Sequence, residues 1–153
     1  MIVIGNQISV SGREDGDSAA KSGGIAGVWR TVVSSQDCVT GTPAPFSIRS
    51  LLTFHSGGTM SEWGVVPGSS PALRSPGHGV WSRGQGWQNY TYTFTHYLYD
   101  AAGAYIGRQK VAGSIVYDAS GDRITMNARV EARNANEEVI ASFCATSVGT
   151  RFE

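Results

Sequence analysis

Three histidines are the side chains in this sequence that are best suited to proton transfer near neutral pH. His96 and Tyr92 both lie in the run WQNYTYTFTHYLY, at positions that share one face of a predicted strand. If the protein is an enzyme, His96 and Tyr92 are its candidate catalytic residues. His55 ends an apolar run beside two glycines and is expected at the surface. Arg74 and His78, in the stretch RSPGHGVW, are expected at one rim of the fold.

The common nucleophilic, metal-binding and nucleotide-binding motifs are absent from this sequence. It contains no HExxH, CxxC, GxSxG, Walker A or GxGxxG pattern. The three histidines and two cysteines do not have the spacing of a zinc site. Most acidic residues fall in predicted turns, which disfavours the paired-carboxylate chemistry of glycosidases. The sequence therefore predicts neither a metal nor a cofactor.

Composition narrows the class of protein. The chain has 153 residues, 41% of them hydrophobic, which favours a single domain with one core. Twelve basic and twelve acidic residues cancel, which argues against a nucleic-acid partner and against docking on anionic membranes. No apolar run is long enough for a membrane helix, and MIVIGNQISV does not have the form of a secretory signal. We expect a cytoplasmic protein, with secretion left open if a leader was removed. A homodimer also stays open.

Eight strand-like runs separated by turn residues indicate an all-β fold. Most separators are short, as in hairpins between sequential neighbours. A meander of eight strands usually closes, because closure removes its unpaired edges. We therefore predict an eight-stranded antiparallel up-and-down β-barrel over residues 25–153, preceded by a flexible N-terminal segment, 1–24. The predicted strands are 26–34, 46–55, 59–66, 78–83, 87–99, 104–117, 122–133 and 138–152.

Alternation along each strand predicts which side chains face the barrel interior. The inward faces are aromatic and apolar, with a few polar groups such as Ser50 and Gln109. Glycines and alanines on the same faces leave space, which is typical of a small-molecule site. The alternative is a filled core. The candidate ligand-binding residues are Trp63, Tyr90, Tyr92, Phe94, His96, Gln109, Phe54, Leu52, Arg74, His78 and Trp81.

Two hairpin registers decide some of these faces. A hairpin centred on Gly57-Gly58 would turn Ser61, Trp63 and Val65 inward and Glu62 towards solvent. For the hairpin between 78–83 and 87–99, two registers stay open. One places His78 opposite Tyr92, inside the barrel. The other places Trp81 opposite Tyr90 inside and turns His78 outward.

GVWRTVV near the start of the barrel and GTRF at its end resemble the calycin superfamily, which includes lipocalins, fatty-acid-binding proteins and avidin-like barrels. The resemblance implies that Gly27 and Trp29 close the base of the barrel and that Arg151 packs over the Trp29 indole. HYLYDAAGAYIG also resembles a turn of barrels similar to allene oxide cyclases and bacterial natural-product cyclases.

The two cysteines, Cys38 and Cys144, lie on the first and last parts of the barrel sequence. If Trp29 lies near Arg151, antiparallel pairing of the first and last strands brings Cys38 close to Cys144. The pair is then either a disulfide or two separate buried thiols.

Two functions follow from a barrel with these contents. The first is binding of a small hydrophobic molecule or metabolite in the cavity. The alternative is a cofactor-independent isomerase or cyclase that folds an apolar, polyketide- or fatty-acid-like substrate in the same cavity. A purely structural or partner-binding barrel is the third, residual reading.

Overall fold

The computed structural model describes residues 24–152 and shows an all-β protein. Eight antiparallel strands follow one another around a closed barrel, as the sequence predicts. The flexible N-terminal segment predicted for 1–24 falls outside the described residues except for Gly24. No helix within 24–152 is long and apolar enough to cross a membrane. The strands are β1 (Gly27–Gln36), β2 (Pro43–Phe54), β3 (Thr59–Gly64), β4 (Gly77–Arg83), β5 (Asn89–Tyr99), β6 (Tyr105–Tyr117), β7 (Arg123–Asn134) and β8 (Val139–Arg151), with a 3-10 helix at Pro71–Leu73.

β1 and β8 close the barrel, and Trp29 lies directly opposite Arg151 in their register. The Trp29 indole is fully buried, and its Nε1 donates a hydrogen bond to the Ile25 carbonyl at 2.8 Å. The Arg151 guanidinium lies 4.3 Å from the centroid of the indole ring. It also donates to the carbonyls of Gly24, Ala26 and Gly121. We call this the closed end of the barrel; its arrangement of Trp29 and Arg151 is the one that the resemblance implies.

The most deeply buried large side chains concentrate toward the closed end. This half of the barrel is a filled core, and the other half, which we call the open end, carries the cavity described below. The largest fully buried residues are Trp29, Tyr90, Phe54, Ile25, Met60, Ile115, Ile124 and Met126.

The predicted register of the β2–β3 hairpin is wrong by one residue. Phe54 pairs with Met60 and Leu52 pairs with Glu62, so Glu62 faces inward and Trp63 faces outward. The cause is the turn. The His55 amide donates to the Thr59 carbonyl, which closes a loop of three residues that ends on Gly58 with a φ of 87°. A turn centred on Gly57-Gly58 would hold only two residues. Ser61 and Val65 consequently leave the inward face as well.

The β4–β5 hairpin has neither of the two registers considered from sequence. His78 pairs with Thr95 and Trp81 pairs with Tyr92. The turn extends beyond the Gly-Gln-Gly separator. The hydrogen bond that closes it runs from the Gly84 amide to the carbonyl of Asn89, five positions later in the chain. The faces of β4 are nevertheless those of the second of these registers, since Trp81 points inward and His78 is exposed.

Cys38 and Cys144 form a disulfide, with their Cα atoms 5.0 Å apart. Cys144 lies on β8 opposite Gln36 of β1, and Cys38 follows two residues after Gln36. The bond therefore ties the β1–β2 loop to β8 at the open end. Of the two alternatives for the cysteines, the disulfide is correct.

Replacing both cysteines in Cys38→Ser/Cys144→Ser should lower the free energy of unfolding by about 3–5 kcal/mol, because the bond closes a long loop in the unfolded chain. Urea denaturation followed by tryptophan fluorescence measures this change. Adding a reductant should destabilise the wild type to the level of the double variant and leave the variant unaffected. Equal stability of the oxidised wild type and the double variant would contradict the bond.

Candidate functional site

A cavity of about 670 Å³ occupies the half of the barrel towards the open end. Its walls come from all the long strands, and loop residues after β1 and β3 border its mouth. The lining is mainly apolar, with a small set of polar groups near the mouth and along β5. The apolar lining residues include Val33, Phe46, Ile48, Leu52, Val66, Phe94, Val111, Met126, Ala128, Val130, Phe143 and Ala145.

The structure brings together six of the eleven candidate ligand-binding residues in this cavity. They are contributed by β2, β5, β6 and the loop before β4. Alternation along the strands predicted that five of them face inward, and Arg74 was predicted at the rim. These six residues are Leu52, Arg74, Tyr92, Phe94, His96 and Gln109.

Three other candidates point inward but lie in the filled core of the closed end. The Trp81 ring lies between Phe54 and Tyr90, with ring centroids 6.1 and 5.7 Å away. The Tyr90 hydroxyl accepts a hydrogen bond from Arg83. These aromatic side chains support the floor of the barrel and do not line the cavity.

Two candidates lie outside the barrel: Trp63, whose assignment to the interior is wrong, and His78, whose face the sequence left open. Trp63 is 37% exposed on the outer face of β3. His78 is exposed on β4. Both positions follow from the hairpin registers, because a shift of one residue reverses every face of a strand. Trp63 still contacts the site indirectly, since the Arg74 guanidinium lies 5.8 Å from its ring centroid.

A buried ion pair lies on the cavity wall. The Arg74 guanidinium contacts both carboxylate oxygens of Glu62, and its Nη1 also donates to the Gly64 carbonyl. The Ser50 hydroxyl donates to Glu62 Oε1 at 3.0 Å. The side chains of Glu62 and Arg74 are only 7% and 15% exposed. A charge at this depth costs several kcal/mol unless it is paired, so each side chain depends on the other.

Two glycines make room for the Glu62 carboxylate. A Cβ atom added at Gly77 would lie 2.9 Å from Glu62 Oε2 and 2.8 Å from the Phe94 ring. One added at Gly64 would lie 3.1 Å from Glu62 Oε1 and 2.8 Å from the Ser50 side chain. Glycine at both positions therefore allows the carboxylate to be enclosed between β2 and β4.

The loop between β3 and β4 places Arg74 over the cavity. Ser70 caps the 3-10 helix by accepting a hydrogen bond from the Ala72 amide. Arg74 then forms an isolated β-bridge with Leu98, and the Ser75 amide donates to the Tyr97 carbonyl. The end of the loop is thus fixed to β5, which directs the guanidinium inward at the mouth.

Tyr92, Phe94 and His96 form a column of rings along the inward face of β5, with successive centroids 6.2 and 6.4 Å apart. Burial, helped by the positive charge of Arg74, lowers the pKa of His96 to about 3, so the imidazole is neutral at physiological pH. Its Nδ1 is buried and has no hydrogen-bond partner among the described residues. Burial raises the pKa of the Tyr92 phenol, so the hydroxyl stays protonated. Gln109 lies directly opposite His96 on β6.

Glu62 lies in the site although the register predicted from the sequence turns it towards solvent. Burial raises the pKa of its carboxyl, while the Arg74 charge and the hydrogen bonds from Arg74 and Ser50 oppose that shift. Three donors point at its two oxygens, which is the environment of an ionised carboxylate. A signal was present in the sequence: a three-residue loop with a glycine at its third position is a common hairpin turn, and it places Glu62 inside.

Neither a family model nor a curated protein matches this chain. Within residues 24–152, no group of three or more His, Cys, Asp or Glu side chains is arranged to hold a metal ion. Any functional interpretation therefore depends on the cavity itself.

Glu62→Leu should lower the free energy of unfolding by about 3–5 kcal/mol, because it leaves the Arg74 guanidinium buried without a counter-charge. The double variant Glu62→Leu/Arg74→Leu should recover most of this loss, since it removes both charges together. Urea denaturation of the three proteins measures the difference. A double variant less stable than the Glu62→Leu variant would show that the two side chains are not coupled.

His96 should make the fold sensitive to acid. Between pH 6.5 and about 3 the unfolded chain binds a proton on this imidazole and the folded chain does not, so stability falls as pH decreases through this window. This single group changes the free energy of unfolding by up to about 1.4 kcal/mol per pH unit. The free energy of unfolding of His96→Gln should depend less on pH over the same range, as measured by urea denaturation at several pH values. Parallel pH profiles for the two proteins would contradict this assignment.

Proposed function

We propose that this protein binds a small hydrophobic molecule in the barrel cavity. The observation that carries the proposal is an apolar-walled cavity of about 670 Å³ that opens at one end of the barrel and carries a few convergent polar groups. Sites for small molecules typically have this volume and this lining. The filled closed end supports the proposal, because it gives the cavity a rigid floor.

The calycin superfamily is the family that we propose for this barrel. Support comes from the up-and-down order of its eight strands and from the contact of Arg151 with the Trp29 indole at the closed end. The Cys38–Cys144 disulfide favours an oxidising compartment over the cytoplasm expected from the sequence. We therefore propose that the protein works outside the cytoplasm.

Filling part of the cavity should weaken binding. Ala128→Phe places a ring in the cavity from β7 and should weaken binding of Nile red, an uncharged dye whose fluorescence rises in apolar surroundings, by about tenfold or more. Asn127→Phe adds the same ring on the outer face of β7 and should leave binding unchanged. Thermal denaturation verifies that both variants fold. Equal binding by the two variants would place the dye outside the barrel and overturn the proposal.

A second candidate function, a cofactor-independent isomerase or cyclase, is favoured by one observation. A buried carboxylate, Glu62, lies in the same cavity as the Tyr92 hydroxyl and the neutral imidazole of His96. Carboxylates in apolar sites are suited to proton abstraction. Glu62 is the better candidate for a base than His96, because the lowered pKa of His96 makes its imidazole a weak base.

Molecules that co-purify with the protein distinguish the two functions. In a carrier, the compound extracted from Glu62→Gln should be either identical to the wild-type ligand or different from it in mass, and not its isomer. An isomerase should retain product in the wild type and an isomeric substrate, of equal mass and different chromatographic retention, in the variant. Liquid chromatography with mass spectrometry of the extracted ligand makes the comparison.

A further inference from the structure

The charges inside the cavity cancel. Of the residues that line it, those that carry a formal charge are Asp37, Glu62 and Arg74, since His96 is neutral. Glu62 and Arg74 neutralise each other within the cavity wall. Asp37 lies at the mouth, where the Val39 and Thr40 amides donate to its carboxylate and keep the pKa of that group low. The interior is therefore neutral, and the charged lining residue at the mouth is an acid.

Arg74 is not free to bind an anionic ligand. A guanidinium has five N–H donors. Nε donates to the Ser75 carbonyl, Nη1 donates to the Gly64 carbonyl and to Glu62, and Nη2 donates to Glu62. Four of the five N–H groups are thus engaged within the protein. A ligand carboxylate would have to displace Glu62, which would leave the Glu62 carboxylate buried without its partner.

The polar groups that remain for a ligand are uncharged. The Tyr92 hydroxyl and the Gln109 amide line the cavity, and His96 adds a neutral imidazole beside them. Together they offer hydrogen-bond donors and acceptors without net charge. Such groups recognise a hydroxyl or carbonyl oxygen. They do not compensate the cost of removing a carboxylate or an ammonium group from water.

We infer that the cavity selects an uncharged apolar molecule that carries a hydroxyl or carbonyl group, and that the Glu62–Arg74 pair excludes carboxylates and amines of the same chain length. This inference rests on the proposed binding function and names the chemical class of its ligand. The pair determines specificity because each charge cancels the attraction that the other would exert on a charged ligand.

Three ligands of equal chain length test the selection: decan-1-ol, decanoate and decylammonium. Each is titrated against Nile red bound to the wild type, at neutral pH and below the concentration at which micelles form. Decan-1-ol should displace the dye at the lowest concentration. Tighter binding of either ion than of the alcohol by the wild type would overturn the inference.

Two charge variants test the ion pair separately from the hydration of the ligands. The affinity of each ligand for a variant is compared with its affinity for the wild type, so the cost of removing that ligand from water is the same in both. Glu62→Gln leaves the Arg74 charge unbalanced and should raise the ratio of decanoate affinity to decan-1-ol affinity by about tenfold or more. Arg74→Gln leaves the Glu62 charge unbalanced and should raise the affinity for decylammonium instead. The double variant Glu62→Gln/Arg74→Gln should return to the wild-type preference.

The outcomes separate the two proposals. If Nile red and all three ligands fail to bind the wild type, the proposed function is wrong. If they bind but neither charge variant changes the ratio of ion to alcohol affinity, the function stands and the inference on ligand class is wrong. If one charge variant does not fold, the other decides the inference alone. If neither folds, the order of the three ligands' affinities for the wild type decides it.

Discussion

Closure of the sheet between β1 and β8 is the constraint on which the rest of the barrel depends. The register of this seam places Trp29 opposite Arg151 and thereby defines a closed end sealed by an indole under a guanidinium. Once the sheet is closed, every strand has one face inside and one face in solvent. The large side chains near the closed end fill one half of the interior. The smaller ones farther along the strands leave the other half open.

The ion pair in the open half is the least expected consequence of this arrangement. Burying Glu62 would be unfavourable alone, and Arg74 compensates it from a loop that is fixed to the end of β5. Gly64 and Gly77 supply the space that the carboxylate needs between its neighbouring strands. The pair makes one side of the cavity polar and adds no net charge to it. Its place near the mouth makes the proposed choice of ligand depend on the fold of the loop.

The sequence predicted most of the fold because alternation and turn residues are local signals. The eight strands, their order and the aromatic face of β5 all followed from them. The proximity of the cysteines followed from the contact between Trp29 and Arg151 that the resemblance implies. The hairpin registers did not follow, because Ser-Gly-Gly and Gly-Gln-Gly each permit turns of different length. The choice between those turns is made by the packing of whole strands. One residue of register moved Trp63 to the outer face and Glu62 into the cavity, so the chemistry of the site was the least predictable part.

A ligand in the open half would be seen most directly by NMR, as intermolecular nuclear Overhauser effects between decan-1-ol and methyl groups of the protein. Contacts are expected with Ala128, Val130 and Ala145, whose methyl groups line the cavity. Ile25, buried at the closed end, should show none. Contacts with Val80 on the outer surface in place of those three residues would contradict a cavity-bound ligand.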